Sequence, residues 1–397
     1  MEYITAAEAA EKWGVTSRQV QRLLADNRIP AAKRYGRTFA VPADAKKPDD
    51  SRKEKQPPPQ KSLADELLEI NEAAADAYGP RDNPDAILDT TDNERYKILY
   101  IQALAYFRGD FEQVINIYNN TEKDDALKIT LAGYAIAAVI STGNYPLYKE
   151  IETYLKNMAK GNEGTFVSTV VEQLFASVYV SVLAPNMAPD WLKTGNFPAL
   201  PKRMMISVFH KRAQYLMSVR NYEAMLAVTQ TAIAVYDIEN EMSASIVYLW
   251  VLRVVACVLL NRQDEARRYL SDAVNILFPA GLITPFAEYL SVFGHLLKPL
   301  AEQKFPKQYD AAAKQWQRTV PNWYDFHNKF TKEHITLVLS LRDYQIAWWS
   351  ANGASYAQIG EMLHISEGRV KNLLDEICEK LFITGRNRKK VLKSFVL

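Results

Sequence analysis

Glycine, cysteine and long apolar runs are all scarce in this chain of 397 residues. Its 15 glycines, about 4% against an average usage of about 7%, mean that few positions need φ > 0. With Ala and Leu abundant, the bias is to helix. Two cysteines, Cys257 and Cys378, exclude a disulfide framework and a cysteine-based zinc site. That scarcity suits a reducing compartment. Cys257 lies in an apolar run and reads as core; Cys378, beside Glu379, reads as partly exposed, with nothing nearby to activate it. Five histidines (His210, His295, His327, His334, His364) lack metal-ligand spacing, so no metal and no cofactor is expected. The most apolar stretch, Ile246 to Leu260, is broken by Arg253 and falls short of the ~20 residues a bilayer crossing takes. Charges from the first turn (Glu2, Glu8, Glu11, Lys12) argue against a signal peptide. The expectation is a cytoplasmic protein without a membrane partner. A phosphate-binding loop and the alternating α/β pattern of a receiver domain are also absent, so no enzyme is expected.

What is present is a globular composition, 24% charged and 48% hydrophobic, and a length suited to two to four domains at ~100–200 residues each. The net charge of +2 hides an asymmetry. Residues 1–55 carry 12 Lys/Arg against 8 Asp/Glu, residues 331–397 carry 10 against 7, and the middle is acidic. Basic ends suggest a polyanionic partner, with double-stranded DNA first among candidates. Lys46 to Ser62, KKPDDSRKEKQPPPQKS, reads as a polar, proline-stiffened spacer. A weaker boundary falls near Pro321 to Thr331. The domains expected are 1–45, a linker 46–62, then 63–330 and 331–397.

In the first segment Thr5 and Glu8 have capping-box spacing, and a short helix runs to Trp13 with Gly14 ending it. Thr16 or Ser17 caps a second helix, Arg18 to Asp26, which buries Val20, Leu23 and Leu24 and exposes Arg18, Gln19, Gln21 and Arg22. Residues 33–41, KRYGRTFAV, read as a tight hairpin at Gly36. This is the pattern of a winged helix-turn-helix: Ser17, Arg18, Gln19 and Arg22 enter a groove while Lys33, Arg34 and Arg37 reach phosphates. From Tyr3-Ile4-Thr5 to Val41-Pro42 the segment resembles the MerR-like, excisionase-type DNA-binding domain, departing at Asn27 (usually Gly) and Phe39 (usually Trp).

The last segment predicts four helices: about Leu341 to Ala351, closed by Asn352-Gly353; Ser355 as N-cap to Leu363; Ser366 as N-cap to Leu381; and about Asn387 to the end. Ile359, Leu363, Val370, Leu374, Ile377 and Leu381 form apolar stripes, leaving Arg369, Lys371 and Asn372 on the outer face. The residues Arg342, Gly353, Ser355, Ile359, Leu363, Ile365, Ser366, Val370, Lys371, Ile377, Lys380 and Leu381 make this segment resemble the LuxR-type DNA-binding domain. The resemblance implies DNA contacts from Ser355, Ser366, Arg369, Val370, Lys371, Asn372 and Lys380. It also implies homodimer pairing through the last helix, at Val391, Leu392 and Phe395; the alternative is that these residues cap the domain's own core. Gln345, Leu373 and Asp375 depart from the family pattern, and an acid at 375 would repel phosphate.

The middle is helical by period, with breaks at Gly109-Asp110, Gly143-Asn144, Arg220-Asn221 and Arg262-Gln263. The first two breaks are 34 residues apart, the tetratricopeptide period, and the segment loosely resembles such an array. Ala213 and Ala232 fit the pattern; Gln102 and Val114 do not. The aromatic group Trp316, Trp323, Tyr324 and Phe326 either lines a ligand pocket or packs against the next domain. The whole reads as mainly all-α: a winged helix-turn-helix, a helical-hairpin middle and a four-helix DNA-binding end. The function expected is a sequence-specific DNA-binding regulator whose middle senses a small molecule, a peptide or a protein. An excisionase-like architectural factor and a DNA-tethered peptide-binding scaffold stand as alternatives.

Overall fold

The computed structural model describes residues 2–36, 38–48, 61–75, 82–237, 242–332, 341–380, 383, 388 and 392. The fold is mainly all-α, and it divides into two units, 1–61 and 62–397.

The first unit holds β1 (Tyr3–Thr5), α1 (Ala6–Trp13), α2 (Ser17–Ala25), β2 (Lys33–Tyr35) and β3 (Thr38–Pro42). Both helices start as the sequence dictates. Thr5 and Glu8 form a reciprocal capping box before α1, and Thr16 forms one with Gln19 before α2. The hairpin β2–β3 is joined by a third strand that the sequence reading did not anticipate: β1 pairs antiparallel with β3, Ile4 opposite Val41. Ala9, Ala10, Val20, Leu24, Ile29 and Val41 form its core, and Leu23 packs at the edge, half-buried.

The second unit begins with α3 (Leu63–Ala75), α4 (Ala86–Thr90), α5 (Glu94–Phe107), α6 (Phe111–Asn119), α7 (Asp125–Thr142) and α8 (Tyr145–Lys160). It continues through α9 (Phe166–Ser181), α10 (Asp190–Thr194), α11 (Met205–Ser218), α12 (Tyr222–Tyr236), α13 (Ala244–Leu259) and α14 (Gln263–Leu277). Then come α15 (Thr284–Glu288), α16 (Leu290–Ala301), the long α17 (Pro306–Thr331), and α18 (Leu341–Ala351), α19 (Tyr356–Leu363) and α20 (Glu367–Lys380).

Four helix pairs, α5–α6, α7–α8, α11–α12 and α13–α14, turn in the same way. A residue with positive φ (Gly109, Gly143, Arg220, Asn261) follows each first helix. The next backbone N–H, of Asp110, Asn144, Asn221 and Arg262, donates five residues back to Ala105, Val139, Leu216 and Cys257 at 2.8–2.9 Å. That is the Schellman closure, and it satisfies carbonyls a helix end would otherwise orphan. Asp110, Asn144 and Asn221 then cap the following helix with their side chains. Gln102 and Val114, the two positions that depart from the repeat pattern, meet each other: the buried Gln102 amide donates to the Val114 carbonyl at 3.3 Å.

Helix α13 is apolar nearly all round and is accordingly buried on nearly every face. Among the described residues one helix, α7, is long and apolar enough to cross a membrane by length and composition. Its Ile129, Leu131, Ala132 and Val139 are fully enclosed by the core.

Helix α17 lies across helix ends. Arg318 donates to the Gly109 carbonyl (3.3 Å), Asn322 to Ser141 (3.2 Å) and Trp323 to Ser181 (2.9 Å), while His327 Nδ1 faces the Val182 carbonyl at 2.6 Å. It therefore satisfies the C-terminal carbonyls of α5, α7 and α9. The approach is close at the two glycine turns. A Cβ at Gly109 would collide with the Gln315 side chain, and one at Gly143 would sit 3.2 Å from Asn322 Cβ. Helix α17 runs unbroken through Pro321 and ends at Thr331, within the range expected for the boundary. The aromatic group is packing, not a pocket. Phe326 fits between Tyr145 and Tyr148, Trp316 meets Trp349 of α18 at 5.7 Å between centroids, and Tyr324 meets Tyr344 edge-on at 5.2 Å.

Candidate nucleic-acid interface

Helix α19 opens with Ser355, whose hydroxyl accepts from Gln358 N–H (3.2 Å) while Gln358 Oε1 accepts from Ser355 N–H (2.8 Å). A left-handed His364 ends it, and Ile365 N–H returns to the Gly360 carbonyl (2.9 Å). Ser366 then caps α20 by accepting from Arg369 N–H at 3.2 Å. Val370, Leu373, Leu374, Ile377 and Cys378 face inward at helical spacing and join the same core as α16 and α13. Arg369, Lys371 and Asn372 stand exposed on the opposite face, as the sequence predicts. Helix α19 is also tied to the middle by Lys298, whose ammonium meets Glu361 at 2.7 Å.

Several expected contacts need correction. Val370 is 0% exposed, because its place in the 370, 373, 374, 377 stripe turns it to the core, so it cannot touch DNA. Ser355 and Ser366 are exposed, but their oxygens are engaged as helix caps. Cys378 is buried rather than partly exposed, and burial pushes its thiol up. Asp375 is held by Arg388 at 2.8 Å, which offsets the repulsion its charge would exert on phosphate. Arg369 reaches Glu376 at 3.4 Å. Of the expected dimer contacts, Leu392 is 1% exposed and belongs to the chain's own core, so it offers nothing to a second copy. Val391, Phe395 and the rest of the expected last helix lie outside the described residues, Arg388 and Leu392 apart, as does the Lys380 side chain.

In the first unit Ser17, Arg18, Gln21 and Arg22 are exposed along α2. Gln19 is turned back, its Oε1 accepting from Thr16 N–H at 2.9 Å, so its acceptor is committed to the cap. Lys33 lies over the Tyr3 ring at 5.1 Å and Arg34 over Phe39 at 5.4 Å. Both remain exposed on β2, where a wing would meet phosphate. Arg37 lies outside the described residues.

The two helix-turn-helices correspond position by position at a constant offset of 350. Thr5 matches Ser355 as the first cap and Thr16 matches Ser366 as the second. The left-handed Gly14 matches His364, the buried Val20 matches Val370, and Leu24 matches Leu374. In this register Arg18, Gln21 and Arg22 occupy the places of Gly368, Lys371 and Asn372. Gln21, exposed on α2, was not among the expected site residues; in this register it takes the place of Lys371.

Burial pushes Cys257 up to about 11 and holds His295 below the usual imidazole value. Among the described residues no group of histidine, cysteine and carboxylate side chains could hold a metal.

Residues 336–382 match the family model of sigma-70, region 4. No match was found among curated proteins or solved structures. The C-terminal segment is thus a helix-turn-helix DNA-binding domain, and the chain's work is DNA-binding and transcription-related.

Proposed function

We propose that this chain is a sequence-specific transcription regulator, cytoplasmic and without catalytic activity, that reads DNA through α20 and through α2. Its ends resemble the LuxR-type and MerR-like, excisionase-type domains, and its hairpin middle resembles a divergent tetratricopeptide array that receives a ligand or partner. The observation that carries the reading is the exposed row Arg369, Lys371 and Asn372 at the start of a capped helix inside the sigma-70 region 4 match. Side chains there reach base edges, because the N-terminal turns of a recognition helix enter the major groove. Ligand binding would shift the population between displays of the two ends.

Mapping of bound DNA across a genome, followed by affinity against salt on the recovered site, tests it. Lys371→Ala should flatten the slope of log K against log salt by about 0.9 for one lost phosphate contact. Arg342→Ala, exposed on α18, should leave the slope unchanged. Equal slopes for Lys371→Ala and the parent chain would remove α20 from the interface.

A further inference from the structure

The sheet of the first unit has a face that neither its core nor α2 uses. The strands lie in the order β1-β3-β2, and Ile4, Phe39 and Val41 turn to one side to pack with Val20 and Leu24. Side chains alternate along a strand, so the opposite side carries Tyr3, Thr5, Lys33, Tyr35, Thr38 and Ala40. The register aligns them: Tyr35 lies opposite Thr38, Lys33 opposite Ala40, and Ala40 opposite Thr5. Thr5, Lys33, Tyr35 and Thr38 are exposed there, and Tyr3 and Ala40 are half-buried.

Two features of this face point to a ligand. Tyr35 is 62% exposed, more than Leu183, Met187, Val219 or Val235, the other large apolar side chains left open among the described residues. Its ring and hydroxyl have no partner among those residues. Lys33 is the second feature. Its ammonium is held 5.1 Å from the centre of the Tyr3 ring, and no carboxylate among the described residues pairs with it. Neither β2 nor β3 contains an acid, and the carboxylate of Glu8, beside Thr5, is engaged in the cap of α1. The face is therefore cationic, with one free aromatic ring.

We propose that it binds single-stranded nucleic acid, an unpaired base stacking on Tyr35 while the adjoining phosphate meets Lys33. Residues two apart stand about 7 Å apart along a strand, so the ring and the cation can meet one nucleotide together. Tyr3 carries Lys33 on its ring and so fixes the cation. A duplex keeps the faces of its bases inside the stack, whereas a single strand offers them to an aromatic ring. Stacking of this kind is tolerant of sequence, because every base has a face. The excess of 12 Lys/Arg over 8 Asp/Glu in residues 1–55 favours a polyanion. The inference goes beyond the duplex reading of α2 and α20 and uses no residue of either helix.

Fluorescence anisotropy of the full chain with labelled oligothymidine and oligouridine of about 10 nucleotides, a length within the site sizes of single-strand-binding folds, tests it. Tyr35→Ala should weaken binding about tenfold for one lost base stack. Tyr35→Phe, which keeps the ring, should bind as the parent chain does and guards against a folding defect. Lys33→Gln should flatten the slope of log K against log salt by about 0.7, the value for one phosphate on a single strand. The tighter of the two oligonucleotides identifies the sugar. A duplex of the genome-mapped site, measured in parallel, should be held equally by the parent and by Tyr35→Ala. Absence of oligonucleotide binding by the parent, unchanged affinity in Tyr35→Ala, or an equal loss on the duplex would overturn the proposal. An unchanged duplex slope in Lys371→Ala counts against the α20 reading alone and leaves this one standing.

Discussion

The two helix-turn-helices share one scaffold and differ in charge and support. On α2 no acidic residue accompanies Arg18 and Arg22. On α20, Glu367, Asp375 and Glu376 share the helix with Arg369 and Lys371, and Glu376 holds Arg369 while Asp375 takes Arg388. The first therefore presents an unopposed positive strip and the second a restrained one, whose cations are partly committed within the protein. The first has a small core of its own, whereas the second shares the core of the helical middle. Charge sets how strongly a face is drawn to phosphate, and support sets what else can move it. Under the proposed function, the N-terminal face would be drawn to phosphate more strongly than the C-terminal one.

The largest test of that contrast is in the cores. Leu24→Ala and Leu374→Ala remove matching side chains, each costing about 2–5 kcal/mol as buried Leu→Ala changes do. Leu24→Ala should melt the small unit early and leave the main calorimetric transition in place. Leu374→Ala should lower the main transition itself. A main transition unmoved by Leu374→Ala would show that the C-terminal domain folds apart from the middle.

A smaller effect separates the turns. A Cβ on Gly360 would lie 2.6 Å from the Ile365 carbonyl oxygen, so Gly360→Ala should cost about 1–3 kcal/mol, the range for overpacking. The matching position is Ala10, where Ala10→Gly should cost only about 0.5–1 kcal/mol of helix propensity. Denaturant midpoints of the two variants measure the difference, and a stabilised Gly360→Ala would contradict the tight turn.

Smaller again is the charge restraint. Glu376→Ala frees Arg369 from a surface pair worth less than about 1 kcal/mol and should tighten DNA binding a few-fold at low salt. No rise in affinity would mean that Arg369 is not held back.

The smallest difference is one of pH. Thr5 donates to Glu8 from its backbone (2.7 Å) and hydroxyl (2.9 Å), holding the Glu8 carboxyl below its usual value. A lowered carboxylate contributes fully above its unfolded value near 4.5, and the contribution is lost as pH falls through the lower folded value. Gln358 holds the same place before α19 and does not titrate. Amide exchange on acidification should fray the start of α1 and spare α19, and Glu8→Gln should remove the difference.

What the sequence determined by itself is local. Capping boxes join residues three apart, and Schellman turns join residues five apart, so Thr5–Glu8, Thr16, Ser355, Ser366 and the four hairpin breaks are fixed by which residues are chain neighbours. Apolar stripes likewise told Val20 and Val370 inward before any partner was known, although the family resemblance then placed Val370 on DNA, against its own stripe. What only tertiary structure decided joins residues far apart: β1 onto β3, Gln102 onto Val114, α17 across the ends of α5, α7 and α9, Arg388 onto Asp375, Leu392 into the core, and Tyr106 onto Glu288, 182 residues on. No short-range pattern encodes these pairings, because each depends on where packing of whole helices brings two side chains. Tyr106 is a core aromatic in its own helix; it reaches the Glu288 carboxylate only because α5 and α15 meet.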